Sequence, residues 1–352
     1  MMMRQFLSGL IAVLGLASAA LANNGTMDEM TATISRGDYK DITSVLVLKD
    51  GKIVYERYFG RSGPQYLNNT RSATKSITSM AVGAAIEQGG FSSADDKVMP
   101  FFRVYDPIKH LNDTKKDISL KDLLTMSSAL DCNDNDQTTP GYEDKMHQEQ
   151  DWTRFVLDLP TMPGWSRDAS GLGPFRYCTA GSFLAGQAIE MAVGQSLDDF
   201  IDAALFTPLG ITRYEWHSSP IGEEQAGGGL ELTSRDLMKF GQLALQNGVW
   251  NGRRLLPEGW ITESTTAHRV VSEVQSYGYH WWIGDFFSAT TGLVHKGYYM
   301  AGNGGSKVAV FEDMDMVVVI TAERYNTPDM HQQSNDLLQG YILPAFELGA
   351  VH

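Results

Sequence analysis

The sequence predicts an α+β protein in which one antiparallel sheet is assembled from both chain ends and a mostly helical lobe is inserted between them. Three observations carry this expectation. The segment "TSVLVLKDGKIVYERYF" alternates apolar and polar residues around Asp50-Gly51, a strong hairpin signal. From Ser92 to His268 the pattern turns mostly helical. Near the end, "SYGYHWWIG", "VHKGYYMAG" and "KVAVFEDMDMVVVITAE" are rich in aromatic and β-branched residues. Strands at both ends with helices between make a shared sheet the simplest way to bury every apolar face.

The elements follow in order. The opening "MMMRQFLSGLIAVLGLASAALA" has a positive start at Arg4, an apolar core from Phe6 to Leu16 and a small-residue cleavage site at Ala20-Leu21-Ala22. This predicts a secretory signal peptide over residues 1–22, with an uncleaved anchor as the other reading. Residues 23–352 are expected to form one domain. Its sheet lobe spans about 23–90 and 270–352, its helical lobe about 91–269, and the cleft between them is the expected site. A short helical stretch precedes the hairpin. "NNTRSATKSITSMAVGAAIEQGG" then predicts a buried helix from Ser72, because Ile77, Met80, Val82, Ala84, Ala85 and Ile86 leave no wide polar face, and Gly89-Gly90 ends it. "SLKDLLTMSSAL" starts with a serine cap, and "TSRDLMKFGQLALQNG" pairs Thr233 with Asp236 before a glycine stop. A tight acidic turn falls at Glu312 to Asp315, and a helix-like "QQSNDLLQGYILPAF" closes the chain.

Composition narrows the function. The formal charge is −14, or −15 once Arg4 leaves with the leader, and acids and bases are mixed along the chain. A solvated acidic surface argues against nucleic acid or anionic membrane as partner. No other run reaches membrane-spanning length, so a soluble exported protein, periplasmic or secreted, is expected. Cys132 and Cys178 are the two cysteines of the chain. In an oxidising compartment they favour a disulfide, with two buried thiols as the alternative. Ligands at metal-binding spacing are absent from the sequence, as are a phosphate-binding glycine loop, Gly-x-Gly-x-x-Gly and the serine elbow flanked by glycines, so no metal or cofactor is expected. The eight histidines read as surface or satisfied core residues.

One pairing stands out chemically. Ser72 and Lys75 lie one turn apart on the same helix face. A serine hydroxyl attacks a carbonyl only when something takes its proton, and a lysine does this only when burial or positive potential lowers its pKa well below about 10.4. A capping serine with a snorkelling lysine is the bland alternative. The Ser72 N–H, in the first helical turn, is free to hold a developing oxyanion. "GPFRYCTAGSFLAGQAIE" offers Tyr177 as a proton donor to a leaving group, and "MAGNGGSKVAVF" brings backbone close through Gly302, Gly304 and Gly305. A core tyrosine and a simple strand-connecting turn are their plain readings. Trp152, Trp165, Trp281 and Trp282 read as core, with an apolar pocket wall as the other role.

Taken together, "SATKS", "FRYCTAGSFLAG" and "YYMAGNGGSKVAVFEDMDMVVV" resemble the serine hydrolases that comprise class C β-lactamases, penicillin-binding DD-peptidases and related esterases. The likeness runs from about Ile42 to the C-terminus, includes "LLTMSSAL" and "GGGLELTSRDLMKFGQLALQNG", and implies a β-lactamase/transpeptidase-like fold. It implies Ser72 as acylated nucleophile, and Lys75 and Tyr177 as coupled base and acid. It also implies the backbone N–H groups of Ser72 and Asn303 as oxyanion donors. The family's Tyr-x-Asn has become Tyr177-Cys178-Thr179, and its Lys-Thr-Gly has become Met300-Ala301-Gly302, so Thr179, Met300, Ala301 and Gly302 are the implied substrate-contacting positions. His295-Lys296-Gly297 is a rival for the latter motif but does not lead directly into the glycine-rich turn. Loss of the ammonium that grips a carboxylate favours neutral or hydrophobic acyl substrates over β-lactams and peptidoglycan. The sequence is most similar to the branch of 6-aminohexanoate-dimer hydrolase and esterases. The expected function is an exported hydrolase of small esters or linear amides. A DD-peptidase or β-lactamase of the same fold and a non-catalytic binding protein are the alternatives.

Overall fold

A computed structural model describes residues 25–347, and the expected signal peptide lies outside the described residues. The chain ends do meet in one sheet. Its strands are β1 (Ile42–Lys49), β2 (Lys52–Tyr58), β3 (Arg269–Val270), β4 (Gln275–Tyr277), β5 (Trp282–Phe287), β6 (Val294–Ala301), β7 (Lys307–Phe311) and β8 (Met316–Ala322). They lie in the order β2-β1-β8-β7-β6-β5-β4-β3, every neighbouring pair antiparallel. The β1–β2 hairpin turns through Asp50 and Gly51, with φ of 49° and 70°. Two consecutive left-handed residues match the twist of the flanking strands, which is why Asp-Gly marks such turns. The seam between the chain ends is β1 on β8, from Ile42 opposite Ala322 to Lys49 opposite Met316.

Both faces of the central strands are buried, so alternation there sorts one core from another rather than core from solvent. Val45 and Val47 face one way, with Val318 and Ile320, onto Met30 and Ile34 of helix α1 (residues 25–36) and onto Leu337. Leu46 and Leu48 face the other way, with Val317 and Val319, toward Leu237 and Phe240. On this second side lie helices α2 (Thr74–Glu87), α3 (Thr179–Val193) and α4 (Ser234–Leu245). Each such side chain contributes about 1.5–3 kcal/mol on burial. Helix α5 (Met330–Leu337) closes the first side.

The predicted caps are present. Ser119 and Asp122 form a reciprocal capping box, and the Thr233 hydroxyl accepts from the Asp236 N–H. The expected mostly helical middle is broken into shorter pieces than its pattern suggests, such as Leu120–Leu124, Glu143–Met146 and Trp152–Leu157. It also contains a small sheet, Asn68–Asn69, Leu230–Leu232 and Glu215–Trp216, whose strands are too short to show alternation. Trp152 and Trp281 are core residues, while Trp165 and Trp282 are partly buried at its margin.

Behind the glycine-rich turn, on the α5 side of the sheet, Lys307 is buried at 3 % exposure. Its ammonium lies 4.8 Å from the Tyr299 ring centre and 5.6 Å from that of Phe286, and it donates to Asn335 Oδ1. The other titratable neighbour is His331 of α5, pushed down to about 4 by burial and then by Lys307. Burial alone pushes Lys307 down to about 7. Between that value and the ordinary lysine value of 10.5 the unfolded chain binds more protons than the folded one, so this group makes stability rise with pH across that window. Lys307→Met is expected to flatten that rise and to be the more stable form near neutrality. Urea midpoints of both proteins at about pH 6.5 and about pH 9 check this.

Candidate active site

The route to Ser72 begins in the small sheet. Thr70, just past Asn68–Asn69, is held to Leu230 O by its N–H (3.0 Å) and its hydroxyl (2.6 Å). Arg71 follows with φ of 48°, a left-handed conformation that a residue with a Cβ adopts at a cost of about 1–2 kcal/mol. Its N–H donates to Asn69 Oδ1 at 3.0 Å and its guanidinium lies 4.6 Å from the Tyr325 ring centre, so the kink is secured on both sides. The turn of Arg71–Ala73 then runs into α2, leaving Ser72 half-buried and Lys75, one turn on, at 1 % exposure.

The Lys75 Nζ donates to Ser72 Oγ at 3.1 Å, to Thr179 Oγ1 at 3.0 Å and to Gly227 O at 2.5 Å. Three acceptors match the three N–H groups of an ammonium. With one proton removed, the same nitrogen keeps its bonds to Thr179 and Gly227 and turns a lone pair toward the serine O–H. The geometry therefore serves both protonation states without moving a heavy atom.

Tyr177 completes the group. Its ring centre is 5.0 Å from Lys75 Nζ, and it stacks on Trp282 at 6.0 Å with planes 19° apart. Tyr277 meets it edge-on at 6.2 Å, and burial first, then the neighbouring Tyr177, push the Tyr277 phenol well up. The backbone of Tyr177 is held by a loop from the other side of the cysteine pair. Cys132 and Cys178 are joined in a disulfide with Cα atoms 5.5 Å apart. Beside it the Asp134 N–H donates to Tyr177 O at 2.8 Å, and Asp134 Oδ2 accepts from the Thr179 N–H at 2.7 Å, capping α3.

The end of β6 reaches the same turn. A Cβ placed on Gly302 would lie 2.2 Å from Thr70 O, so only glycine lets this strand end press against the backbone entering Ser72. Gly297 instead packs on Phe286 and Phe311, and His295 is held by Asp313 and Glu347 at 2.6 Å each. It is thus Met300-Ala301-Gly302, not the rival triplet, that abuts the serine turn. Two of the expected substrate-contacting positions are corrected by the structure: Met300 is fully buried in the core, and Thr179 is buried with its hydroxyl accepting from Lys75, while Ala301 is half-buried. The Asn303 side chain is fixed by Asn326, donating to its Oδ1 at 2.7 Å and accepting from its N–H at 2.9 Å.

Sequence reasoning misses four participants: the Gly227 carbonyl, Tyr277, Arg71 and His280. A signal for the first is present in the Gly227-Gly228-Gly229 run, since three glycines mark close backbone approach. His280 is buried at 1 % exposure and bridges the two helices that carry the candidate groups. Its Nδ1 is 3.1 Å from Lys75 O, which can only accept, so Nδ1 bears the proton and Nε2 accepts from Ser182 Oγ at 3.1 Å. Burial first, then Lys75, push it down to about 3, so it stays a neutral strut. For Gly302, substitution by alanine is expected to part β6 from the serine turn. Labelling of Ser72 by a fluorophosphonate, read by intact mass, should slow by about tenfold or more, with a stability loss of about 1–3 kcal/mol.

Comparison with known proteins agrees with this architecture. The Beta-lactamase family profile matches residues 40–340. The 6-aminohexanoate-dimer hydrolase of Paenarthrobacter ureafaciens is 26 % identical over 227 residues, 61 % of this chain, and the chain spans 55 % of that relative's length. Among solved structures, the octameric penicillin-binding protein homologue from Pyrococcus abyssi aligns with a TM-score of 0.64 at 20 % identity, covering 90 % of this chain and 76 % of that one. EstCE1, a hydrolase with promiscuous acyltransferase activity, aligns with a TM-score of 0.69 at 15 % identity, covering 94 % and 100 %. The structural likenesses speak for the fold. The family profile, running across most of the sequence, shows that the chain belongs to the beta-lactamase family of serine hydrolases.

Proposed function

We propose that this protein is an exported hydrolase that cleaves small ester or linear amide bonds through an acyl-enzyme at Ser72. The observation that carries the reading is the 3.1 Å contact of Lys75 Nζ with Ser72 Oγ, made by a lysine buried at the mouth of an apolar helix. In the reaction, Ser72 Oγ bonds to the substrate carbonyl carbon while its proton passes to the Lys75–Tyr177 unit. The two groups share that proton as a pair. Charge developing on the carbonyl oxygen is met by the N–H groups of Ser72 and Asn303. Tyr177 then protonates the departing alkoxide or amine. Water enters, loses a proton to the same pair, attacks the acyl carbon and releases the acid, returning the proton to Ser72.

Substrate preference follows from what is missing beside the serine turn. Where the resembling family carries a cation and a hydroxyl for a substrate carboxylate, this chain has Met300, buried in the core, and the half-buried Ala301, which weakens the β-lactamase and DD-peptidase readings. The Paenarthrobacter relative, named as a hydrolase of 6-aminohexanoate dimer, supports linear amides as substrates. The leader-like residues 1–22 and the disulfide support export to an oxidising compartment, where the protein acts in the periplasm or outside the cell.

The test is direct. The wild-type protein should gain one fluorophosphonate adduct on Ser72 and hydrolyse a p-nitrophenyl ester faster than a chromogenic cephalosporin. Ser72→Ala should lose the adduct and at least about a thousandfold in rate. Faster turnover of the cephalosporin would move the protein to the β-lactamase reading, and an unlabelled wild type would point to a binding protein.

A further inference from the structure

We propose that the loop of residues 323–326, which follows β8, fixes the separation of the Ser72 and Asn303 N–H groups, with Tyr325 and Asn326 as positioning residues. This deepens the hydrolase reading above and rests on it. The two N–H groups sit on separate turns, one entering α2 and one leaving β6, and each turn passes through left-handed backbone. Arg71, immediately before Ser72, has φ of 48°, and Gly304 and Gly305, just past Asn303, have φ of 103° and 97°. An oxyanion is stabilised when both donors come within about 2.7–3.1 Å of one oxygen. Two turns of this kind need a tie from outside to hold such a spacing.

The loop grips the glycine-rich turn at three consecutive residues. The Arg324 N–H donates to Gly304 O at 3.1 Å, in an isolated antiparallel bridge. A Cβ placed on Gly304 would meet the Tyr325 ring at 2.8 Å, so ring and backbone touch there. Asn326 and Asn303 then pair reciprocally. Asn303 Nδ2 donates to Asn326 Oδ1 at 2.7 Å, and the Asn326 N–H donates to Asn303 Oδ1 at 2.9 Å. Asn326 is itself left-handed, at φ of 59°, a conformation that asparagine adopts more readily than most residues.

The same loop reaches the serine turn through Tyr325, whose ring centre lies 4.6 Å from the Arg71 guanidinium. The Arg71 carbonyl carbon is bonded to the Ser72 nitrogen, so each grip acts on a donor residue or on its neighbour. Behind these contacts the loop is rooted in the seam between the chain ends. The Glu323 N–H donates to Asp41 O at 2.9 Å, and Arg324 Nε donates to the Asp329 carboxylate at 3.0 and 3.1 Å. The Thr327 hydroxyl donates to Arg324 O at 3.0 Å. A loop anchored in this way is one fixed reference for both turns. The competing account is that it merely closes the end of the sheet, with Tyr325 as packing.

Paired substitutions separate the two. Tyr325→Leu keeps apolar bulk but removes the ring face from Arg71, whereas Tyr325→Phe keeps the ring. Asn326→Gly keeps the left-handed backbone and removes the acceptor of Asn303. Hydrolysis of a p-nitrophenyl ester is measured for each, with urea midpoints to verify folding. Outright loss of an oxyanion donor costs about a hundredfold to a thousandfold in kcat, and a small displacement costs less. The inference expects Tyr325→Leu and Asn326→Gly to lose about tenfold or more in kcat at little changed KM, and Tyr325→Phe to stay within about threefold of wild type. Wild-type kcat in the folded Leu and Gly variants, or a Phe variant as slow as the Leu one, overturns it and leaves the hydrolase reading standing. Hydrogen exchange read by mass spectrometry gives a second readout that needs no turnover. Tyr325→Leu should speed exchange about tenfold or more in both the 69–75 and 301–306 segments, and Asn326→Gly in 301–306, with α4 unchanged. Unchanged exchange in both segments overturns the inference even if the wild type cleaves no ester.

Discussion

Everything at this site depends on keeping one amine dry and fully bonded. Lys75 is almost wholly removed from solvent, and an unpaired ammonium there would be costly. The fold resolves this by bringing three separate stretches to the same nitrogen: the serine turn of its own helix, the start of α3 and the glycine run before Leu230. Each stretch is secured from behind. Thr70 is tied to Leu230, Thr179 to Asp134, and the glycine turn to Gln225. The nitrogen is thus the point on which the small sheet, α2 and α3 converge, and a misplaced element would be felt there first.

The proposed proton transfer and the rigidity of the site draw on the same contacts. His280 binds the Lys75 carbonyl with one ring nitrogen and Ser182 with the other, so α2 and α3 are coupled through a ring that does not titrate in the physiological range. Tyr177 is clamped by the disulfide and the Asp134 loop on its backbone, and by Trp282 and Tyr277 on its ring. In the proposed reaction, a phenol held this way would meet the leaving group with little reorganisation, which is the condition under which proton donation and oxyanion stabilisation are effective.

Much of this is legible in the sequence, and what is not has a physical reason. The β1–β2 hairpin is visible because Asp50-Gly51 demands a turn of fixed type, and the caps at Ser119 and Thr233 because a hydroxyl three residues before an acid leaves few alternatives. The Ser72–Lys75 contact follows from helical spacing alone. By contrast, the small sheet is hidden because two-residue strands carry no period. Tyr277 and His280 look like ordinary members of an aromatic strand, since their roles arise from neighbours far away in the chain.

The seam between β1 and β8 carries a consequence for how the molecule comes into being. Ile42 finds its partner in Ala322, so the amino-terminal hairpin spends nearly the whole of synthesis with one edge unmet. Closure over such a sequence separation is entropically slow, and the ribosome must release almost all of the polypeptide before the sheet can shut. Until then a growing chain of this topology stays open, without the tertiary lock that its last strands provide.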